Sequence, residues 1–137
     1  MFIAAATLDF IAALLHVACI LGGPAWYRFF GAGEELATMA EQGSWWPGIL
    51  TALIAAVLAV WGLYFLSLGN QLGGLALPWV EGIAISIAAV YALRGLYPLL
   101  LSPWVAFFRS PFMLVTSGIC VGFAVVHVLA LRLAGVI

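Results

Sequence analysis

Residues 47–68 form the apolar run PGILTALIAAVLAVWGLYFLSL, and no charged side chain lies between Glu41 and Glu81. A helix that crosses a bilayer needs about 20 mainly apolar residues, so this run predicts a membrane-spanning helix. The segment 69–74, GNQLGG, has the composition of a turn. It separates this helix from another apolar run that begins at Pro78.

Three further runs have similar length and composition. They cover residues 2–22, 78–97 and 111–133, and glycine or proline signals stand at their ends. Of the 137 residues, 67% are hydrophobic and 7% are charged, whereas a soluble domain carries about 25% charged residues. The sequence therefore predicts an all-α, polytopic integral membrane protein, a four-transmembrane-helix bundle that forms a single membrane domain over residues 1–137.

The connections between the predicted spans indicate the topology. The loop 24–46 contains EELATMAE at residues 34–41, which predicts a short interfacial helix between spans one and two. The connection 98–109, PLLLSPWVAFFR, is apolar but interrupted by prolines, so we expect it to lie along the membrane surface. Arg28 and Arg109 in these loops outnumber Arg132 near the opposite face, which favours cytoplasmic long loops and both termini outside. Such a compact chain is typical of the bacterial inner membrane.

The composition excludes several classes of function. Four arginines, no lysine and a net charge of −1 provide no basic surface for nucleic acid. Cys19 and Cys120 form no CxxC pair and no HExxH motif occurs, so no metal site is predicted. His16 and His127 would lie about 12 Å apart along the membrane normal, too far for the two axial ligands of one haem. The sequence does not indicate which cofactor, if any, the protein binds.

Ionisable residues inside the predicted spans are the candidate catalytic groups. They are Asp9, His16, Glu81 and His127. A charge at the bilayer centre costs about 2.5–3.5 kcal/mol, so such groups must face the protein interior, water or one another. At about 1.5 Å per residue, Asp9, Glu81 and His127 should share a layer about 5–10 Å below the terminal surface. Because histidine titrates near neutral pH and burial raises carboxylate pKa values, these groups suit proton transfer or acid–base catalysis.

Candidate ligand-binding residues lie nearer the long loops. Arg94 stands about 140° around the third span from the acid in its first turn. It therefore faces another subunit, the membrane surface, or Glu34 or Glu35 in the first loop. Tyr91 and Thr116 lie at a comparable level. The helix faces that carry Asp9, His16, Glu81 and His127, together with the inward face of the second span, are small or polar, as contacts between helices in lipid favour. Their residues are Ala12, Ala13, Cys19, Thr51, Ala55, Gly62, Ala84, Ala88, Ala92, Gly95, Cys120 and Ala124.

An intramembrane polar site of this kind predicts a protein that binds or transforms a small lipophilic or amphipathic molecule, with proton transfer as one option. One alternative is a non-catalytic accessory or scaffold subunit, in which Asp9 and His127 are only a hydrogen-bonded pair that joins two helices. Another is a small oligomeric transporter. The expected partners are membrane lipid, the lipophilic molecule, and either further copies of the chain or another membrane protein. The sequence leaves open whether the protein is an enzyme.

Overall fold

The computed structural model of the protein describes residues 1–31 and 33–137. In these residues the regular structure is entirely helical. The helices are α1 (Phe2–Gly22), α2 (Pro24–Phe29), α3 (Glu34–Glu41), α4 (Trp46–Leu68), α5 (Val80–Leu101) and α6 (Pro111–Leu133), with one 3₁₀ turn at Ala106–Arg109. Four of them, α1, α4, α5 and α6, are long and apolar enough to cross a membrane. The structure confirms the predicted all-α class and its four spanning helices.

The third spanning helix differs from its predicted bounds. We expected residues 78–97, but α5 begins at Val80 and continues through Pro98 to Leu101. Proline removes one helical hydrogen bond, and spanning helices tolerate it because neighbouring helices supply packing and polar partners. Pro98 is buried, so packing holds it inside the helix. The predicted connection 98–109 is accordingly shorter and contains the 3₁₀ turn.

The first long loop is more ordered than its sequence indicated. The predicted helix at residues 34–41 is confirmed as α3, whereas α2 was not predicted. Gly23 turns the chain between α1 and α2 with a φ of 65°, a conformation that favours glycine. A Cβ atom at Gly22 would collide with the Trp26 indole, so the ring lies directly over this glycine. Ala32, within the predicted loop 24–46, lies outside the described residues.

The chain divides into two compact units. Unit 1 comprises Met1–Leu8 and Trp61–Ile137, and unit 2 comprises Asp9–Val60. In unit 1, α5 packs closely against α6, and a Cβ atom at Gly95 would lie 2.8 Å from the backbone nitrogen of Val121. In unit 2, α2 packs against α3. There the Thr51 hydroxyl donates to the Pro47 carbonyl at 2.7 Å and lies 3.3 Å from the Tyr27 hydroxyl.

Large apolar side chains are exposed along all four spanning helices. Leu14, Leu53, Leu93 and Val115 are each about 60% exposed or more. Soluble proteins rarely expose apolar surface on this scale. Such surface is stable in a bilayer, because lipid tails are as apolar as leucine. The molecule is therefore built for a lipid environment.

Candidate functional site

His127 is the most enclosed ionisable group of unit 1. It lies on α6 with none of its surface exposed. Its ring nitrogen Nδ1 is 2.7 Å from the backbone carbonyl oxygen of Phe123, one helical turn earlier. Because a carbonyl oxygen only accepts, Nδ1 carries the hydrogen and the orientation of the ring is fixed.

Aromatic rings from three helices surround this imidazole. The centroid of the Phe65 ring on α4 lies 4.4 Å away, and that of Tyr91 on α5 lies 4.9 Å away. Trp61 packs edge-on against Tyr91 at 5.5 Å, which extends the cluster along α4. Phe123 contacts Tyr91 from α6 at 5.2 Å. The predicted acid–base group is thus packed among rings, with no surface open to a substrate in this conformation.

Asp9 belongs to unit 2 and is also completely buried. In the described part of the chain, every buried side-chain nitrogen or oxygen has a hydrogen-bond partner. The carboxyl group of Asp9 is therefore satisfied, as expected for a polar group held in an apolar interior. Its predicted pairing with His127 crosses the boundary between the two units and stays a prediction.

His16 repeats the backbone contact seen at His127, but it is partly exposed. Its Nδ1 lies 2.7 Å from the carbonyl oxygen of Ala12, so this nitrogen also carries the hydrogen. The other nitrogen, Nε2, is left as the position where a proton can bind or leave. Of the two histidines, His16 is the one with exposed surface.

Glu81 stands apart from the buried groups of unit 1. Its side chain is exposed in the first turn of α5, where the helix N-terminus favours a negative charge. It borders a shallow depression lined by Leu77, Trp79, Val80 and Gly82. His127 contacts Tyr91, which lies about 15 Å further along α5 than Glu81. The structure therefore does not bring Glu81 into the layer that we expected it to share with His127.

Arg94 is a partly buried cation in the membrane-spanning part of α5. One of its guanidinium nitrogens, Nη1, donates to the Ser117 hydroxyl at 3.4 Å. This is its one hydrogen bond within residues 1–31 and 33–137, and the partner is neutral. The predicted bond to Glu34 or Glu35 would cross the boundary between the two units and stays a prediction. A guanidinium has five N–H donors, so most of its capacity remains for a ligand.

On α6 the structure buries Ala124 and His127 of the predicted face, but it does not bury Thr116. Thr116 is partly exposed, and its hydroxyl donates to the Phe112 carbonyl of its own helix at 2.9 Å. Ser117 is instead completely buried and accepts the bond from Arg94. The spacing of Met113, Ser117, Ala124 and Leu131 follows one helix face and contains this signal. Sequence reasoning missed it because threonine and serine are adjacent and equally suited to the role.

The loop acids form an ionic cluster outside the spanning helices. Arg28 on α2 donates to both oxygens of Glu34 and both oxygens of Glu41, at distances from 2.6 to 3.1 Å. These hydrogen bonds lower the pKa of each carboxyl group and raise the pKa of the guanidinium. Glu35, also on α3, is exposed. This cluster fastens α3 to α2, which is a structural role.

No group of three or more histidine, cysteine or acidic side chains suited to a metal ion occurs among the residues that the structure describes. Cys19 and Cys120 are free thiols. The arrangement thus provides two enclosed ionisable groups, Asp9 and His127, and two partly exposed ones, His16 and Arg94.

The fold and these groups define a small polytopic membrane protein with polar residues inside its spanning helices. No protein-family model matches the chain, and no curated protein or solved structure is detectably similar to it.

Proposed function

We propose that the protein binds a small amphipathic molecule with an acidic head group, and that Arg94 is the residue that recognises the acid. The observation that carries this proposal is the hydrogen bonding of Arg94. The guanidinium lies about seven residues, or about 10 Å, from the end of α5. At this depth it has one long hydrogen bond, to the hydroxyl of Ser117.

The energetics favour an anionic ligand at this position. An arginine at the bilayer centre costs about 2.5–3.5 kcal/mol on insertion scales, and a single neutral hydrogen bond of 3.4 Å offsets little of this cost. A carboxylate or phosphate accepts two parallel, charge-assisted hydrogen bonds from one guanidinium. Each hydrogen bond to a charged group contributes about 1.5–3 kcal/mol. An acidic head group would therefore offset the cost of the guanidinium in the membrane that the hydrogen bond to Ser117 does not offset.

Binding is better supported than chemical transformation. A general acid or base must reach the proton that it moves. His127 is enclosed by rings and Asp9 is completely buried. His16 is the remaining candidate for proton transfer in the spanning helices, and it is one group rather than an acid–base pair. We therefore propose a binding protein for the amphipathic molecule.

The membrane and orientation of the protein are part of the proposal. The arginine-containing connections, with Arg28 on α2 and Arg109 in the 3₁₀ turn, support cytoplasmic long loops. We place the protein in the bacterial inner membrane with both termini outside. Assembly with further copies of itself or with another membrane protein remains a prediction.

The test compares two probes with the same apolar chain, oleate and oleyl alcohol. Binding to the purified protein in detergent is measured by native mass spectrometry for the wild type, Arg94→Gln, Arg94→Lys and Arg109→Gln. We expect oleate to bind about 10- to 150-fold more tightly than the alcohol. Arg94→Gln should remove most of this preference, whereas Arg94→Lys should keep part of it because the charge remains. Arg109→Gln is the matched control, since it removes an exposed arginine outside the spanning helices.

Two results would contradict the proposal. The first is equal binding of the acid and the alcohol to the wild type. The second is a preference for oleate that survives Arg94→Gln. A membrane protein that copurifies in fixed ratio with the wild type, but not with Arg94→Gln, would instead favour the accessory-subunit function, with the acid supplied by a partner helix.

A further inference from the structure

A groove runs along the surface between α5 and α6, within unit 1. Its volume is about 310 Å³, and its lining is almost entirely apolar. The lining residues include Ala92 and Leu96 on α5 and Val121, Val125, Leu129 and Arg132 on α6. Ala124 also lines the groove, and it is buried at the contact between the two helices.

The length of the groove matches an extended lipid tail. Its α6 residues recur every three to four positions, so they form one straight face of the helix. From Val121 to Arg132 this face is about 16 Å long. The groove is therefore elongated along α6, which suits an extended acyl chain.

This site is separate from the one at Arg94. Residues 92 and 96 line the groove, and residue 94 lies two positions from each of them, which is about 160° away around α5. Arg94 therefore projects from the other side of the helix. A molecule in the groove would not touch the guanidinium that the proposed function uses.

Arg132 gives the groove a charged end. It lies in the last turn of α6, where the end of the span places it near the membrane surface. Its side chain is exposed and forms no hydrogen bond or ion pair within the part of the chain that the structure describes. The other arginines each bond to protein oxygen atoms, at Glu34 and Glu41, Ser117, or Ser102 and Pro103. One end of this apolar groove thus carries a positive charge that is paired with no carboxylate of the described residues, at the depth of lipid head groups.

We propose that the α5–α6 groove holds one acyl chain of an anionic phospholipid whose phosphate contacts Arg132. The apolar lining fits the chain, and the arginine fits the phosphate, because guanidinium and phosphate form charge-assisted hydrogen bonds. A second copy of the protein is a poorer occupant, since its apolar surface would cover Arg132 without supplying an anion. A neutral phospholipid would fill the groove but has no net charge for the arginine to select.

Native mass spectrometry of the purified protein tests this site. Phosphatidylglycerol and phosphatidylcholine with identical acyl chains are added in equal amounts, and the retained lipid is counted. We expect the wild type to retain the anionic lipid with a preference of about five-fold, the effect of one basic residue near a membrane surface. Arg132→Gln should bring the preference close to one. Arg109→Gln is the matched control and should leave the preference unchanged, because Arg109 is exposed and does not line the groove. Repeating the comparison in an Arg94→Gln background removes any contribution from the site of the proposed function.

A second pair of variants tests the apolar part of the groove. Val125→Phe places a ring in the groove from a position that is 53% exposed, so it should lower retention of both lipids without disturbing the packing of the helices. Val115→Phe is the matched control, because residue 115 is also exposed on α6 but does not line the groove. Unfolding temperatures equal to that of the wild type confirm that each variant is folded.

Three outcomes would overturn the proposal. They are equal retention of the two lipids by the wild type, an anionic preference that persists in Arg132→Gln, and retention unaffected by Val125→Phe. A lipid-free dimer that Val125→Phe dissociates would show that a second copy covers the groove. Loss of oleate selectivity in Arg94→Gln, measured separately, bears only on the proposed function.

Discussion

Replacing Gly95 with alanine should separate α5 from α6, although the change adds a single methyl group. The new Cβ atom would lie 2.8 Å from the backbone nitrogen of Val121 and 3.0 Å from the carbonyl oxygen of Ser117. Backbone atoms cannot rotate out of the way as side chains do, so the helices must move apart. Overpacking of this kind costs about 1–3 kcal/mol, and alanine regains up to about 1 kcal/mol through helix propensity. We expect a net loss of about 1–2 kcal/mol.

Gly122→Ala provides the matched control for this prediction. Gly122 lies on α6, and a Cβ atom there meets nothing within 4 Å. Its replacement should therefore leave stability unchanged or raise it by up to about 1 kcal/mol. Reversible unfolding in mixed micelles, followed by tryptophan fluorescence, measures both variants. If Gly95→Ala is as stable as Gly122→Ala, close helix contact at residue 95 does not hold α5 and α6 together.

Two further predictions concern unit 2. Thr51→Val removes the hydroxyl that lies 3.3 Å from the buried Tyr27 hydroxyl, and the unsatisfied phenol should cost about 1–3 kcal/mol of stability. The double variant Thr51→Val, Tyr27→Phe should recover part of this loss in the same unfolding assay. If the stability losses of the two single variants simply add, the two hydroxyls do not interact. Hydrogen bonds from Arg28 lower the pKa values of Glu34 and Glu41. The stability that these hydrogen bonds give α3 is therefore fully present above the ordinary glutamate pKa of about 4.3, and it is lost as the pH falls through the lowered pKa values. Hydrogen exchange of α3 amides should accordingly be slower in the wild type than in Arg28→Gln at pH 7, and a difference that persists at pH 2 would contradict the ionic origin.

The spanning helices were predictable, but their polar contacts were not. The run 2–22 became α1 with the same bounds, because an apolar segment of this length satisfies its own backbone only as a helix in lipid. The end of α5 was misplaced because proline usually stops a helix, whereas here Pro98 is packed inside it. Helix α2 was missed because its six residues are too short for a periodic pattern.

For the candidate site, too, the residues were predictable from the sequence but their contacts were not. Arg94 and His127 are recognisable in the sequence because ionisable residues are rare in apolar spans. Their environments are not, since His127 is enclosed while Arg94 is partly exposed. Thr116 was predicted in place of Ser117, because one residue changes the direction of a helical side chain by about 100°.

The sequence by itself determined that this is an all-α membrane protein with four spans, because the thickness of a bilayer and the cost of an unpaired backbone in lipid depend on composition and length alone. Tertiary structure decided which of the polar residues in the spans are buried and which are exposed. Phe65 comes to lie against His127, and Arg28 binds Glu41, through contacts between residues far apart in the chain. Such contacts depend on the rotation and register of packed helices, and hydropathy determines neither.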